Sequence, residues 1–290
     1  MKQKRSSTLW ILLAILVLLL VWAGSERRLR PAYLGIARFE NRIKGIDGIS
    51  AASVAKVKGD ARRHARFIRT VGGLLGAAKE APEANYDDFV EIAEMIPDAI
   101  LEIRYHTSYN FVGARIDGYE QPTALLTREA AEALLAVSND LKEQGYRIKI
   151  FDAYRPQCAV DHFVRWAADI TDTLMKPYFY PDLDKSVLFE QEYIMEKSGH
   201  TRGSTVDLTL FDMATEREVD MGGTFDWFGV ESHPDYTATI TPEQFANRMI
   251  LREAMVRHGF KTLDSEWWHF TLRDEPYPDT YFTFPVRQYE

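Results

Sequence analysis

The stretch SGHTRGSTVDLTL, residues 198–210, joins a polar turn to a segment in which polar and apolar side chains alternate. Because side chains point to opposite faces along a β-strand, STVDLTL predicts a strand with Asp207 in its polar row. The opposite row is apolar and is expected to face the core: Val206, Leu208 and Leu210. Asp207 therefore points away from that apolar face.

Gly203 lies between His200 and the predicted strand. Glycine adopts backbone conformations that other residues avoid, so it can let the preceding loop fold back and bring His200 close to Asp207. A histidine and an aspartate at this spacing also occur by chance, and each alone is more often structural. A polar loop entering an amphipathic strand remains the alternative interpretation.

The segments around this strand mix helical and strand-like patterns without regular alternation, which predicts an α+β domain. Residues 126–145, 155–170 and 241–259 have helical spacing of apolar side chains, whereas 146–151 and 266–272 are typical of strands. Thr127 and Gly145 are suited to cap the first helix, and Pro156 is suited to the first turn of the second. Thr241 and Gln244 form a possible capping box for the third.

Three short clusters carry the candidate chemistry: FDAYRP (151–156), residues 198–210, and SEWWHF (265–270). His200, Asp207 and His269 together would suit zinc, with three protein ligands and an open position for water as in catalytic sites. Glu266 is then placed to take a proton from that water. Residues three apart on a regular strand face opposite sides, so we expect a bend near Glu266.

Several other classes of site lack support in the sequence. The net charge of −8 argues against a general nucleic-acid binder. Cys158 is the only cysteine, which excludes an intrachain disulfide and a thiolate metal cluster, and its helical context favours a packing role over a reactive thiol. The remaining histidines are expected to be structural: His64, His106, His162, His233 and His258. The motifs of zincins, serine hydrolases and P-loop NTPases are missing.

The N-terminus predicts membrane targeting. A basic start precedes 15 uncharged, mostly aliphatic residues at 9–23, which suits either a cleaved signal peptide or a retained anchor. Residues 31–85 are expected to form a basic helical spacer, whose charge could touch anionic lipid or form a solvated face. We therefore expect residues 1–30 to direct export, so that a catalytic domain at 86–290 lies on the periplasmic or cell-envelope side of the membrane.

Taken together, FDAYRPQ, SGHTRGSTVDLTL and EWWHFTLRDEPYP strongly resemble the VanX-type D-alanyl-D-alanine dipeptidases, a branch of the zinc D,D-peptidases. The likeness spans about residues 96–286 and includes DGYE at 117–120. It implies an α+β fold in which helices flank an antiparallel sheet that carries the site. It also implies one zinc ion per chain, held by His200, Asp207 and His269. Members of this branch begin near the equivalent of Tyr86, so the leader and spacer are a departure.

The resemblance also implies roles around the metal. Glu266 would act as general base and acid, and Arg155 would stabilise the developing oxyanion. Asp152 would orient Arg155 or a zinc ligand. Three further residues resemble family positions near the bound dipeptide: Tyr105, Ser198 and Asp226. Ser198 could equally be a turn residue, and Asp226 could cap a loop.

The function expected from this resemblance is zinc-dependent hydrolysis of D-Ala-D-Ala in cell-wall peptide turnover. A D,D-carboxypeptidase acting on longer stem peptides would use the same chemistry and differ in how the pocket is closed. A non-catalytic wall-peptide-binding module is a third hypothesis, and the presence of all three ligands with Glu266 argues against it.

Overall fold

A computed structural model of the chain describes residues 86–189 and 193–289. The predicted leader at 1–30 and spacer at 31–85 lie outside these residues, as does His64. Within the described ranges, no helix is both long enough and apolar enough to cross a lipid bilayer.

The described chain is a mixture of strands, helices and short 3-10 turns. The strands are β1 (Phe89–Glu91), β2 (Ile100–Leu101), β3 (Leu125–Thr127), β4 (Tyr146–Asp152), β5 (Thr205–Asp212), β6 (Arg217–Glu218), β7 (Phe260–Leu263) and β8 (Glu266–Leu272). The α-helices are α1 (Ile92–Met95), α2 (Arg128–Glu143), α3 (Gln157–Ala168), α4 (Lys176–Phe179) and α5 (Pro242–Arg257). The predicted α+β class is confirmed.

The main sheet has the strand order β2-β4-β5-β8-β7, and β6 pairs with β5 beyond that path. The pairs β4–β5, β5–β8 and β7–β8 are antiparallel, as expected. The expectation of a purely antiparallel sheet was wrong at one edge, where β2 runs parallel to β4. Parallel neighbours need a long crossover connection, and the chain between them supplies one that contains α2.

Strand β5 lies in the middle of the sheet and forms where the alternation predicts it. Its apolar row is fully buried: Val206, Leu208 and Leu210. The polar row is buried as well, since Thr205 and Thr209 have no exposed surface and Asp207 is 2% exposed. Asp207 therefore lies inside the domain, where an uncompensated carboxylate would be costly.

The predicted helix ends are largely confirmed. Gly145 follows α2 with φ +89°, and Thr241 and Gln244 form both bonds of the capping box on α5. Pro156 lies one position before α3 rather than in its first turn. The expected side-chain cap by Thr127 was wrong, because its hydroxyl contacts Ser204 Oγ at 2.9 Å instead.

Gly203 has φ +81°, and a Cβ placed there would lie 2.3 Å from Cζ of the Phe89 ring. We predict that Gly203→Ala lowers the free energy of unfolding by about 2–5 kcal/mol, because left-handed backbone strain adds to overpacking. Gly145→Ala is the matched control, since Gly145 also has positive φ but, among the described residues, no atom lies within 4 Å of the added Cβ. Its expected loss is about 1–2 kcal/mol. Equal losses for both variants in denaturant titrations would contradict the role of Phe89.

Candidate metal centre

The turn that carries His200 is a 3-10 turn, His200–Arg202, closed by Gly203. The Gly203 amide donates to the His200 carbonyl at 3.0 Å, and the Thr127 amide donates to the Gly203 carbonyl at 2.8 Å. The positive φ of Gly203 thus reverses the chain directly before β5, as the sequence predicts. His200 is returned to the polar face of the sheet, where it is 2% exposed.

Strand register brings Asp207 and His269 together. The two residues lie directly opposite each other in the antiparallel β5–β8 pair, so their side chains leave the sheet on the same face. Strands β5 and β8, which are far apart in the sequence, thereby place an imidazole beside a carboxylate. The turn described above adds His200 to the same point.

The three side chains converge on one small volume. His200 Nε2 lies 3.1 Å from Asp207 Oδ2, His269 Nδ1 lies 3.1 Å from Asp207 Oδ1, and the two histidine nitrogens are 3.3 Å apart. One potential ligand atom from each residue lies within 4.8 Å of the others. The three residues that the sequence interpretation grouped as candidate zinc ligands therefore lie side by side.

The outward-facing nitrogen of each imidazole has its own partner. His200 Nδ1 lies 2.7 Å from the Ala153 carbonyl, so it carries the proton and leaves the Nε2 lone pair facing the cluster. His269 Nε2 lies 3.5 Å from Thr271 Oγ1, which in turn contacts Thr205 Oγ1 at 2.9 Å. Such outer contacts fix the tautomer and orientation of histidine ligands.

Asp207 provides a test of whether this cluster suits a cation. Burial alone would raise the pKa of Asp207, but His200 and His269 lower it well below its usual value, so the carboxylate is charged. Asp207 Oδ1 is buried and accepts no well-aligned hydrogen bond from the residues that the structure describes, although His269 Nδ1 lies 3.1 Å away. A shared metal ion satisfies such facing acceptor atoms, and two imidazoles with one carboxylate are a suitable donor set.

Glu266 lies at the edge of the cluster, with Oε2 3.4 Å from His269 Nδ1. The β7–β8 register shifts between Thr262 and Leu263, since Thr262 pairs with Phe270 and Leu263 pairs with Glu266. This irregularity confirms the predicted bend. Burial raises the pKa of Glu266, as does the charge of Asp207, whereas His269 opposes the shift. A carboxyl group beside the ligand cluster with a raised pKa is a candidate for general acid–base chemistry.

Arg155 approaches the cluster from the end of β4. Its Nε and Nη2 lie 2.9 and 2.8 Å from Asp152 Oδ2, and Nη2 lies 3.7 Å from Asp207 Oδ2. Asp152 Oδ2 is also 3.5 Å from His200 Nδ1. Asp152 therefore contacts both groups that the sequence interpretation suggested it would orient, which are Arg155 and a candidate metal ligand.

Tyr119 is a part of this network that the sequence interpretation missed. Its hydroxyl donates to Asp152 Oδ1 at 2.6 Å, and its ring is almost fully buried. Asp152 is thus held on both carboxylate oxygens, by Tyr119 on one and Arg155 on the other. The signal was available in DGYE at 117–120, but tyrosine in a loop has no spacing rule that would connect it to β4.

Tyr105 and Asp226 form a second buried pair beside the cluster. The Tyr105 hydroxyl lies 3.1 and 3.0 Å from the two carboxylate oxygens of Asp226. Burial raises the pKa of Asp226 well above its usual value, and the charges of Asp207 and Glu266 add to the shift. Arg155 Cζ lies 4.9 Å from the Tyr105 ring centroid. The pair therefore belongs to the same electrostatic neighbourhood as the candidate metal ligands.

Ser198 begins the turn that carries His200. Its Oγ accepts from the His200 amide at 3.3 Å, and its carbonyl accepts from the Thr201 amide at the same distance. These contacts match the alternative reading of Ser198 as a turn residue. Its expected contact with a substrate stays a prediction.

Two of the histidines assigned to structural roles have partners outside the cluster. His162 contacts Asp117, and His258 contacts Asp140. Among the described histidines, only His200 and His269 contribute to the candidate metal centre. Burial raises the pKa of the Cys158 thiol, which fits a packing residue rather than a nucleophile.

Two imidazoles, one carboxylate and an adjacent glutamate on a mixed α+β scaffold define a centre of the metal-dependent hydrolase class. Residues 85–287 match the D-ala-D-ala dipeptidase model of peptidase family M15. The chain belongs to this family of peptidases.

Curated relatives agree with that assignment. The chain is 39% identical over 199 residues to the D-alanyl-D-alanine dipeptidase of Enterococcus faecium, which covers 69% of this chain and 98% of the relative. It is 41% identical to the protein of the same name from Enterococcus faecalis, and the match covers 68% of this chain and 98% of the relative. The Streptomyces coelicolor D-alanyl-D-alanine dipeptidase is 37% identical, and the match covers 69% of this chain and 98% of the relative. The region shared with these relatives corresponds to nearly their full length.

Proposed function

We propose that the chain is a zinc-dependent peptidase that hydrolyses the free dipeptide D-Ala-D-Ala to two molecules of D-alanine. The observation that carries this proposal is the convergence of His200, Asp207 and His269 beside Glu266. Family membership and the names of the relatives support the substrate. The role inferred for the reaction is turnover or salvage of dipeptide derived from the cell wall.

One zinc ion would be held by His200 Nε2, His269 Nδ1 and the carboxylate of Asp207. When bound there, zinc supplies a Lewis acid and lowers the pKa of a coordinated water to about 7. The protein's own contribution is to fix the ligands before the ion arrives. The Ala153 carbonyl orients His200, and strand register orients Asp207 against His269.

Glu266 is proposed to take the proton from the attacking water and later to deliver it to the leaving amine. Burial raises the pKa of Glu266, a shift in the direction that favours donation of the proton to the leaving amine. Its 3.4 Å contact with His269 places it beside the ligand set. The side chain is 32% exposed, which leaves room for water and substrate to reach it.

Arg155 is proposed to stabilise the negative charge that develops on the oxygen of the scissile amide. A fixed cation at that position costs no reorganisation during the reaction. Asp152 holds the guanidinium through two contacts, while Tyr119 holds Asp152. The guanidinium is therefore positioned before substrate binds.

We predict that Arg155→Lys lowers kcat by about 10²–10³-fold, since lysine keeps the charge but cannot contact Asp152 through two nitrogens and still reach the oxyanion. Arg147→Lys is the matched control in β4, the strand that precedes Arg155, where the arginine Nε donates to the Asp98 carbonyl away from the cluster. Steady-state kinetics on D-Ala-D-Ala measures both. A normal kcat for the Arg155 variant would remove Arg155 from the mechanism.

Asp226 is proposed to bind the free amine of the dipeptide, with Tyr105 holding the carboxylate in place. Burial raises the pKa of Asp226 and the charge of Asp207 adds to the shift, so an ammonium group bound beside it would favour the charged carboxylate. This feature distinguishes a dipeptidase from its main rival, a D,D-carboxypeptidase acting on longer stem peptides. An acylated nitrogen carries no charge to match Asp226.

The experiment that separates these two functions compares D-Ala-D-Ala with N-acetyl-D-Ala-D-Ala and an N-acylated tripeptide. We predict that kcat/KM is at least about 100-fold higher for the free dipeptide, because an acylated nitrogen leaves the buried Asp226 side chain without an ammonium partner. Release of D-alanine is measured from each substrate with zinc present. A preference for the acylated tripeptide would favour the carboxypeptidase instead.

We further propose that residues 1–30 direct export and that the catalytic domain works on the periplasmic or cell-envelope side, anchored or released after cleavage. The support is the aliphatic stretch at 9–23 between basic flanks. Protease treatment of spheroplasts tests this proposal, with intact cells and a cytoplasmic marker as controls. Protection of the domain in spheroplasts would contradict it.

A further inference from the structure

The segment that carries Asp226 is an irregular connection between β6 and α5. We call residues 221–233 the Asp226 loop. Asp226 itself has φ +62°, an unfavourable backbone conformation for a residue with a side chain, and it is 7% exposed. Such strain persists only where the surrounding structure fixes the backbone. Phe225, the residue before it, stacks on Phe151 of β4 with ring centroids 4.8 Å apart.

Arg248 of α5 bonds to both ends of this loop. Its Nε donates to the Met221 carbonyl at 2.7 Å, at the start of the loop. Its Nη1 and Nη2 donate to the carbonyls of His233 and Glu231, both at 3.0 Å, at the end of the loop. One planar guanidinium thereby holds together two chain segments between which Asp226 lies.

The environment of Arg248 is unusual for a charged group. The residue is 2% exposed, and burial lowers its pKa to about 10, which leaves it protonated near neutral pH. Within the described ranges, no carboxylate forms an ion pair with it. Three backbone carbonyls accept hydrogen bonds from the buried guanidinium instead. The Trp267 ring lies beside it, with its centroid 5.6 Å from Arg248 Cζ. Truncating the guanidinium would remove one donor from each of these carbonyls, although the His233 carbonyl would still accept from the Tyr236 amide at 3.1 Å.

Other residues on the same face of α5 touch the flanks of the loop but do not replace Arg248. Gln244 and Asn247 bond to Asp220, just before it. Arg252 bonds to Asp235, just after it, but Asp235 is 80% exposed. Exposed ion pairs contribute little. Arg248 alone among these residues donates to the carbonyls at both ends of the loop.

We propose that Arg248 is a positioning residue that fixes the Asp226 loop so that the Asp226 carboxylate meets the free amine of the dipeptide. Arg248 thereby contributes to the preference for a free over an N-acylated substrate. This inference rests on the proposed function. Helix α5, which lies outside the metal cluster, would thus take part in substrate selection through hydrogen bonds to backbone carbonyls.

The test uses Arg248→Lys and Arg248→Met in the full chain with zinc bound. We expect KM for D-Ala-D-Ala to rise by about 10–100-fold while kcat stays within about threefold. The reason is that the lost hydrogen bonds of the guanidinium would weaken substrate binding and leave the chemical step unchanged. Arg252→Met is the matched control one turn along α5, and its KM is expected to stay within about twofold, as for an exposed ion pair. Equal kcat/KM losses on free and N-acetylated dipeptide would indicate a structural role only and overturn the proposal.

A double-mutant cycle with Asp226→Asn tests whether Arg248 acts through Asp226. If it does, the doubly substituted protein should show a KM change close to that of Asp226→Asn alone, because coupled residues are not additive. Independent effects that multiply would overturn the proposal. A parent enzyme without activity on D-Ala-D-Ala would instead refute the proposed function, whereas an active parent with an unchanged KM in the Arg248 variants refutes only this inference.

A measurement on the parent protein covers the case in which Arg248 variants fail to fold. Amide hydrogen exchange in residues 221–233 should be slower than in the exposed turn at 213–216, without any ligand, because the loop is already fixed. The Phe228 amide, which donates to the Phe179 carbonyl at 2.8 Å, is the reporter within the loop. Exchange as fast as in the turn at 213–216 would show that Arg248 does not hold the loop and overturn the inference.

Discussion

Replacing Glu266 with glutamine is expected to lower kcat for D-Ala-D-Ala by about 10²–10⁴-fold, the usual contribution of general acid–base catalysis. Glutamine keeps the size and the hydrogen-bonding reach of the side chain but cannot take a proton from water. The metal ligands are untouched, so zinc content should stay at one ion per chain. Loss of rate with retained metal is the signature of a lost proton-transfer group.

Asp264→Asn is the control for this substitution. Asp264 lies in the same β7–β8 hairpin and is exposed, so its amide variant should keep kcat within about twofold, as expected for a surface change. Elemental analysis and steady-state rates are measured on both proteins. A Glu266→Gln protein that binds zinc and works at the parent rate would remove Glu266 from the mechanism.

Replacing His269 with alanine is expected to remove the metal and the activity together. Two ligands would remain, and zinc affinity should fall by more than about 100-fold, since loss of a hydrogen-bond partner to a ligand already costs 10- to 100-fold. The buried Asp207 would also lose one of the two imidazoles that lower its pKa. Zinc content after dialysis, measured beside D-alanine release, tests both consequences.

His162→Gln is the matched control, because His162 contacts Asp117 away from the cluster. It should retain zinc and activity. If the His269 variant bound zinc as tightly as the parent, the assignment of the third ligand would be wrong. If both variants lost zinc equally, the change would reflect a general loss of structure.

Periodicity predicted the elements that build the centre, and strand register explains why. The alternation in 205–210 predicted β5, the aromatic-rich segment 266–272 predicted β8, and pairing of these strands then places Asp207 opposite His269. Gly203 was predicted as a turn because only glycine accepts its backbone conformation without strain, and its φ is +81°. These features follow from local rules, which a single sequence contains.

Features that depend on distant contacts were harder to predict. Thr127 was expected to cap α2, but its hydroxyl bonds to Ser204, a partner that only the folded sheet supplies. The parallel pairing of β2 with β4 likewise depends on a crossover whose path the local pattern does not define. Tyr119 was missed for the same reason, since its partner Asp152 lies on another element.

Arg248 shows why charge patterns can mislead in a helix. Its position in TPEQFANRMILREAMVRHG suggests a solvated side chain, because arginine is rarely buried. In the fold, Arg248 shares the buried side of α5 with Leu251 and Met255. The carbonyls of the Asp226 loop make that burial possible. No sequence rule identifies backbone acceptors from a distant loop.

The most direct test of the account is a zinc titration of the metal-free full chain, with D-alanine release from D-Ala-D-Ala measured at each addition. A single site formed by His200, Asp207 and His269 predicts that activity rises in proportion to zinc and reaches its plateau at one equivalent per chain. Activity in the thoroughly chelated protein, or no D-alanine release at any zinc concentration, would contradict it.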